Sequence, residues 1–506
     1  MRKREAMRRH FALIFALLLT CVPTTARAET SVDVLSLPRT LTWSGDFDGL
    51  LQHRIVRILV VPSKTFFFLN KADTLGVTAE TGQEFEKWIN KRHAKPPFDI
   101  KVVFVPTRRD RVFQDLIDGK GDIAAANLTI TAERSAAVDF AKPWSKGIKE
   151  ILVTGPSAPA IASISDLGGK EVMVRTSSSY YTHLVALNER FERENHAAVK
   201  IVPADEYLED EDLLQMVSAG LLPWAIVDGH VARLWARILK DLTLRENLAV
   251  NEGGEIAWAI RKNCPLLQHE IDEFVTVHGK FAEDLISEYL HAGNVVRNAL
   301  APPEIEKFRQ LIGYFKTYGE RYAIDPYMLA AQAYQESSFD QSLRMKSGAV
   351  GIMQMMESTA REELGIDDIV SRAEDNIHAG AEYLRYLVNK YLDDPEVSER
   401  DKVLMTLAAY NAGPGNLKHF RDKARQLGFN PNVWFGNVEH GAAVVVGQET
   451  VQYVGNIYKY YVVYSTLLSE KWTDGARRAK SSTLHMDGTT GLGASARARP
   501  VAKFHY

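Results

Sequence analysis

The stretch Asp325-Pro-Tyr-Met-Leu-Ala-Ala-Gln-Ala-Tyr-Gln-Glu336 continues as Ser-Ser-Phe-Asp340 and then, after a short interval, as Ser347-Gly-Ala-Val-Gly-Ile-Met-Gln-Met355. It reads as a helix that delivers one glutamate to a glycine-bearing turn. Asp325 is a good N-cap and Pro326 a good first helical residue, and helix formers run on to Glu336 before two serines break the pattern. Leu329, Ala333 and Glu336 are spaced by four and three residues, so they share a face. A carboxylate on the apolar side of a helix is partly desolvated, which raises its pKa toward the range of a general acid. Taken alone, Glu336 reads as readily as a solvated carboxylate at a helix end.

Four motifs in order change that balance: Glu336-Ser-Ser-Phe, Ser347-Gly-Ala-Val-Gly-Ile-Met-Gln354, Ala409-Tyr-Asn-Ala-Gly-Pro-Gly415 and Glu449-Thr-Val-Gln-Tyr-Val454. Together they resemble the catalytic domain of the soluble-lytic-transglycosylase family over residues 305–469. The resemblance implies a mainly α, lysozyme-like fold that cleaves peptidoglycan without metal or organic cofactor. It also implies that Glu336 is the catalytic acid, that Ser347, Met353 and Gln354 line the groove, and that Tyr410, Asn411 and Tyr453 contact sugar or the glutamate. For Tyr453 a core tyrosine with a satisfied hydroxyl is an equal alternative. Glycoside hydrolysis normally needs two carboxylates, and these motifs offer one, with Asp340 reading as a structural cap. The family's chemistry resolves this. The glutamate protonates the oxygen between N-acetylmuramic acid and N-acetylglucosamine, then takes the proton of the muramyl 6-hydroxyl, which closes a 1,6-anhydro ring. One departure is Glu357, where the family usually has proline after Gln354-Met-Met356.

Upstream, residues 53–298 alternate apolar strands with amphipathic helices, the pattern of an α/β domain. Strands are predicted near residues 55–61, 100–106, 122–127, 150–154, 171–175, 200–203 and 225–227, with helices at 81–91 and 110–118 among those between. The run Asp115-Leu-Ile-Asp-Gly-Lys-Gly-Asp-Ile-Ala-Ala-Ala-Asn-Leu-Thr129 through Arg134 to Trp144 resembles family 3 extracellular solute-binding proteins, two-lobed receptors for amino acids and similar ligands. Asp166-Leu-Gly-Gly-Lys170, Ala225-Ile-Val-Asp228 and Trp258-Ala-Ile-Arg-Lys262 agree with it. A ligand carboxylate calls for a guanidinium fork with added donors, and an ammonium for a carboxylate. The resemblance places Thr129 and Arg134 on the carboxylate, Ser178 and Ser179 as donors from the second lobe, and Asp228 on the amino group. Phe66, Phe67 and Phe68 read as core or as an apolar wall. The hinge strands are expected at 150–154 and in the stretch leading into Trp258.

The chain carries 61 Lys and Arg against 64 Asp and Glu, so bulk binding to nucleic acid is excluded. Residues 1–28, basic and then apolar and ending Ala26-Arg-Ala28, read as a secretory signal peptide, with a lipoprotein signal at Cys21 and an uncleaved anchor as alternatives. Residues 29–52 read as a leader. Residues 470–506, rich in Arg, Lys, Ser, Thr, Gly and Ala, read as a disordered tail. The tail's positive excess suits solubility, or contact with anionic lipid or wall polymer. Without Cys21, Cys264 is left as a lone packed thiol, which rules out an internal disulfide. The expectation is a periplasmic wall-cleaving enzyme with peripheral outer-membrane association. Its partners would be peptidoglycan glycan strands and an amino acid or muropeptide bound N-terminally. A binding or scaffolding module with little cleavage, and a water-using lysozyme, stand as alternatives.

Overall fold

The computed structural model describes residues 42–70, 73–95, 99–281, 284–285 and 297–467. The signal-peptide reading, Cys21 and the tail of 470–506 lie outside the described residues. Of the leader, residues 42–52 are described and are part of the fold. Asp46 caps a helix, Phe47–His53, whose Phe47 and Leu50 are buried in the first lobe's core.

The N-terminal half is an α/β structure of two lobes. Strands β1 (Ile55–Val60), β4 (Lys101–Pro106) and β5 (Ile123–Thr129) are parallel and apolar on both faces, as strands covered by helices must be. Between them, β2 (Phe68–Asn70) and β3 (Asp73–Leu75) form a hairpin that the sequence pattern did not mark. Short β6 (Asp139–Phe140) leads into β7 (Ser145–Thr154). In the second lobe β8 (Glu171–Val174) pairs with β9 (Lys200–Pro203), and β10 (Trp224–Asp228) pairs with β7. The longest strand, β11 (Thr243–Ile260), pairs with β7 along most of its length and then with β5 and β6. The sheet order β10-β7-β11-β5-β1-β4 therefore joins the lobes through β7 and β11. Residues 150–154 and the approach to Trp258 lie on these two strands.

The C-terminal half is helical, in the arrangement expected for a lysozyme-like domain. It contains Pro302–Tyr322, the glutamate helix Pro326–Ser337, Ala373–Tyr391, Glu399–Ala412, Asn416–Gln426 and the tyrosine helix Gln448–Leu467, with a small hairpin of β12 (Ala349–Val350) and β13 (Met355–Met356). Asp325 caps the glutamate helix by accepting from the Tyr327 amide, with Pro326 in its first turn. Glu357 opens the helix Glu357–Leu364. That position tolerates proline, and an acidic side chain there complements the helix dipole, so the departure from proline leaves the helix intact. One continuous apolar cluster runs from the second lobe into the helical domain, whereas the first lobe has separate cores.

Candidate active site

Glu336 lies on the last turn of the glutamate helix, behind the buried Leu329 and Ala333. Ser338 and Phe339 follow at φ 53° and 62°, a left-handed pair that turns the chain sharply away. Two buried side chains press the glycine-bearing turn back against the helix end. Ser337 Oγ donates to the Ile352 carbonyl at 2.8 Å. Asn376, fully buried on the helix Ala373–Tyr391, accepts from the Met353 amide at 2.7 Å and donates to the Val350 and Ile369 carbonyls at 3.0 Å. Gly351 sits against that amide at φ 76°, where an added Cβ would stand 2.4 Å from Asn376 Nδ2.

The Tyr453 hydroxyl, from the tyrosine helix, donates to Glu336 Oε1 at 2.5 Å. Burial pushes the Glu336 carboxyl up to about 7, against the opposing pull of that hydrogen bond and of the Arg297 guanidinium. Arg297 donates to the Gln335 carbonyl at 2.8 Å. Tyr410 stands beside Glu336 and donates to the Met353 carbonyl at 2.7 Å. The site thus offers a carboxylic acid that is half protonated near neutrality, held by phenols and a backbone turn, with no carboxylate among the described residues shifting its titration.

The remaining groove residues fall out differently. Gln354 is buried at φ 47° and donates to the Gly351 carbonyl at 2.7 Å. Asn411 is exposed and accepts from Thr450 Oγ1 at 2.8 Å, joining the motif Ala409–Gly415 to the tyrosine helix. Ser347 lies exposed in the turn before β12. The Met353 side chain is fully buried against Gly380, so its backbone, not its thioether, serves the site. Asp340 accepts from the Ser342 amide and hydroxyl, a turn-closing role. His378 bonds the Tyr322 hydroxyl and stacks on Tyr318.

Between the lobes, Thr129, Arg134, Ser178 and Ser179 line one small cleft together with Phe66, Arg109 and Tyr180. Arg134 donates to the Thr129 and Ser177 carbonyls. Burial, with Arg109 nearby, lowers its pKa to about 10, the signature of a guanidinium without a carboxylate partner. Asp228 lies one bond from the cleft, accepting from Asn127 through Oδ2, while its Oδ1 has no partner. Burial and the nearby Glu150 and Asp210 hold its carboxyl well above the usual range. Ser178 caps the helix Ser179–Arg193, and Ser179 donates to Glu150 at 2.7 Å. Phe66 both lines the cleft and joins the core, while Phe67 is wholly core. Sequence reasoning had no signal for Arg297 or for the bidentate Arg109–Glu209 pair, which form only across elements distant in sequence.

The helical domain matches the Transglycosylase SLT domain family over residues 313–433. The chain is 28% identical over 436 residues to the membrane-bound lytic murein transglycosylase F of Desulfosudis oleivorans, covering 81% of this chain and 90% of that protein. It is 30% identical over 358 residues to that of Methylobacillus flagellatus, covering 68% and 71%. Among solved structures, an amino acid ABC transporter substrate-binding protein from Streptococcus pneumoniae bound to L-arginine aligns with 48% of this chain and 98% of its own, at 18% identity and TM-score 0.39.

Proposed function

This chain belongs to the membrane-bound lytic murein transglycosylase F family, enzymes that cleave peptidoglycan, and from that premise we propose how it does so. Glu336, in its protonated form, gives its proton to the glycosidic oxygen joining N-acetylmuramic acid to N-acetylglucosamine. As the C–O bond breaks, the muramyl 6-hydroxyl attacks the anomeric carbon and yields its proton to the Glu336 carboxylate. A 1,6-anhydro product leaves and the acid is restored, with no water consumed. The observation that carries this reading is a single carboxyl with a pKa near 7, hydrogen-bonded to Tyr453. A group so placed serves as acid and base in turn. Tyr410, the Met353 carbonyl and Gln354 hold the geometry around it, and Ser347 and Asn411 are placed to meet sugar hydroxyls.

The cleft between the lobes takes an amino acid or muropeptide, its carboxylate on Arg134 and its ammonium on Asp228, and occupancy sets the cleavage rate. The chain works in the periplasm, where peptidoglycan lies, with attachment at the outer membrane. Among the described residues no helix is long and apolar enough to cross a membrane.

The test is mass spectrometry of purified sacculi digested by the protein and by Glu336→Gln, with and without an amino acid and muropeptide mixture. Anhydromuramyl ends that vanish in the variant are expected, at a rate that rises or falls with ligand. Reducing ends would indicate a water-using lysozyme. No release by either protein would leave a binding module. Arg134→Ala should abolish any ligand-induced rise in melting temperature.

A further inference from the structure

Gln332 lies four residues before Glu336 on the same helix, so the two side chains share a face. It is 0% exposed, and among the described residues neither Nε2 nor Oε1 makes a hydrogen bond of ordinary geometry. Leaving an amide so buried without partners is costly, and a leucine of similar size would pack there without that cost. The group that faces it is the Tyr453 phenol. Burial and Glu336 drive that phenol's pKa up, and the Gln332 amide acts in the opposite sense, as a donor to the phenol oxygen does.

The oxygen of Tyr453 is the acceptor within reach of Gln332, and its proton is already committed to Glu336 Oε1. Resting on the assignment of Glu336 as the acid, we propose that Gln332 is a positioning residue for the transglycosylase reaction. Its Nε2–H donates to the Tyr453 oxygen, keeps the Tyr453 O–H turned to Glu336 Oε1, and so leaves the transferable proton on Oε2, facing the sugar. The groups that act on Glu336 from packed elements are Tyr453 on the tyrosine helix, Tyr410 on the helix Glu399–Ala412 and Arg297 before Pro302–Tyr322. Only Tyr453 is in contact with Gln332 in this relay. No bond to substrate is asked of Gln332.

The experiment is a double-mutant cycle on the full chain acting on sacculi, with kcat/KM followed against pH for the parent, Gln332→Leu, Tyr453→Phe and the double variant. Losing the amide weakens the phenol as a donor to the carboxylate, so the alkaline limb of the profile, set by Glu336, moves up. The expected shift is about half a pH unit with a rate loss of about fivefold. In the Tyr453→Phe background Gln332→Leu should change neither. The melting temperature of Gln332→Leu should equal or exceed the parent's. An unmoved limb, or an effect that persists undiminished without the Tyr453 hydroxyl, overturns the proposal. So does failure of both Gln332→Leu and Gln332→Met to fold, which would make Gln332 a packing residue. If instead the parent makes no anhydro product, or Glu336→Gln cleaves as well as the parent, it is the assignment of Glu336 that falls.

Discussion

Glu336 shows how a single side chain can set function against stability. Its folded pKa, about 7, lies above the ordinary 4.5, so the folded state binds the proton more tightly than the unfolded chain does. The sign follows: below about pH 4.5 the buried acid costs nothing, and stability is lost as pH rises through 7, where the desolvated charge must be carried. Glu336→Gln should therefore melt higher than the parent at pH 8, by on the order of 2 kcal/mol, and equally at pH 4. Calorimetry at the two pH values checks this; an equal gain at both would mean that the effect is steric. Arg297 pulls the same pKa down, so Arg297→Gln should move the alkaline limb of activity upward. A pH–rate profile of that variant, with the limb unmoved or lowered, would exclude the guanidinium from the site.

The active site is built by elements clamping one another, and the clamp is Asn376. Its amide joins the helix Ala373–Tyr391 to the turn that carries Gly351 and Met353, and three backbone groups depend on it. Asn376→Leu keeps the volume but strands those groups in the core. The cost should be about 3 kcal/mol, read as a lower denaturation midpoint. Activity should fall further than stability does, because the Met353 carbonyl holds Tyr410. The tyrosine helix is a second such element. Gln452 exchanges two hydrogen bonds with the Leu69 backbone on the β2–β3 hairpin, one residue from Tyr453.

Across the whole molecule, the second lobe and the helical domain meet around Asp212. It pairs with Lys64 of the first lobe at 2.6 Å and Lys459 of the tyrosine helix at 3.5 Å, all three largely buried. Tyr458 donates to Asp205 beside it, and Tyr207 packs on Phe435. Burial alone would raise the Asp212 carboxyl, yet the two ammoniums outweigh it and hold it well below the usual carboxylate range. A depressed pKa gives stability that is present above about pH 4 and lost as pH falls below it. Asp212→Asn should cost about 3 kcal/mol at pH 7 by leaving two buried ammoniums uncompensated. Its stability should also be flatter than the parent's between pH 4 and pH 2. An urea titration series across pH reads both, and a parent-like acid slope would show that the interface is not held by this charge.

What the sequence determined by itself was local or periodic. The Asp325-Pro326 start and the helix to Glu336 follow from capping and propensity, and the strands of the first lobe follow from apolar runs bounded by turn residues. Motif order named the acid and its tyrosine partners. What tertiary structure decided depended on groups far apart in sequence. The hairpin β2–β3 and the eighteen-residue β11 carry polar, glycine-broken sequence that has no strand period, and pairing alone makes them strands. Met353 sits in a groove motif, yet it is core because Gly380 leaves room for it. Arg297, Asn376 and Gln332 act on the site only because folding brings linker, helix and turn within hydrogen-bond reach of one carboxyl. Its pKa is a property of burial and neighbours, neither of which any single stretch of chain contains.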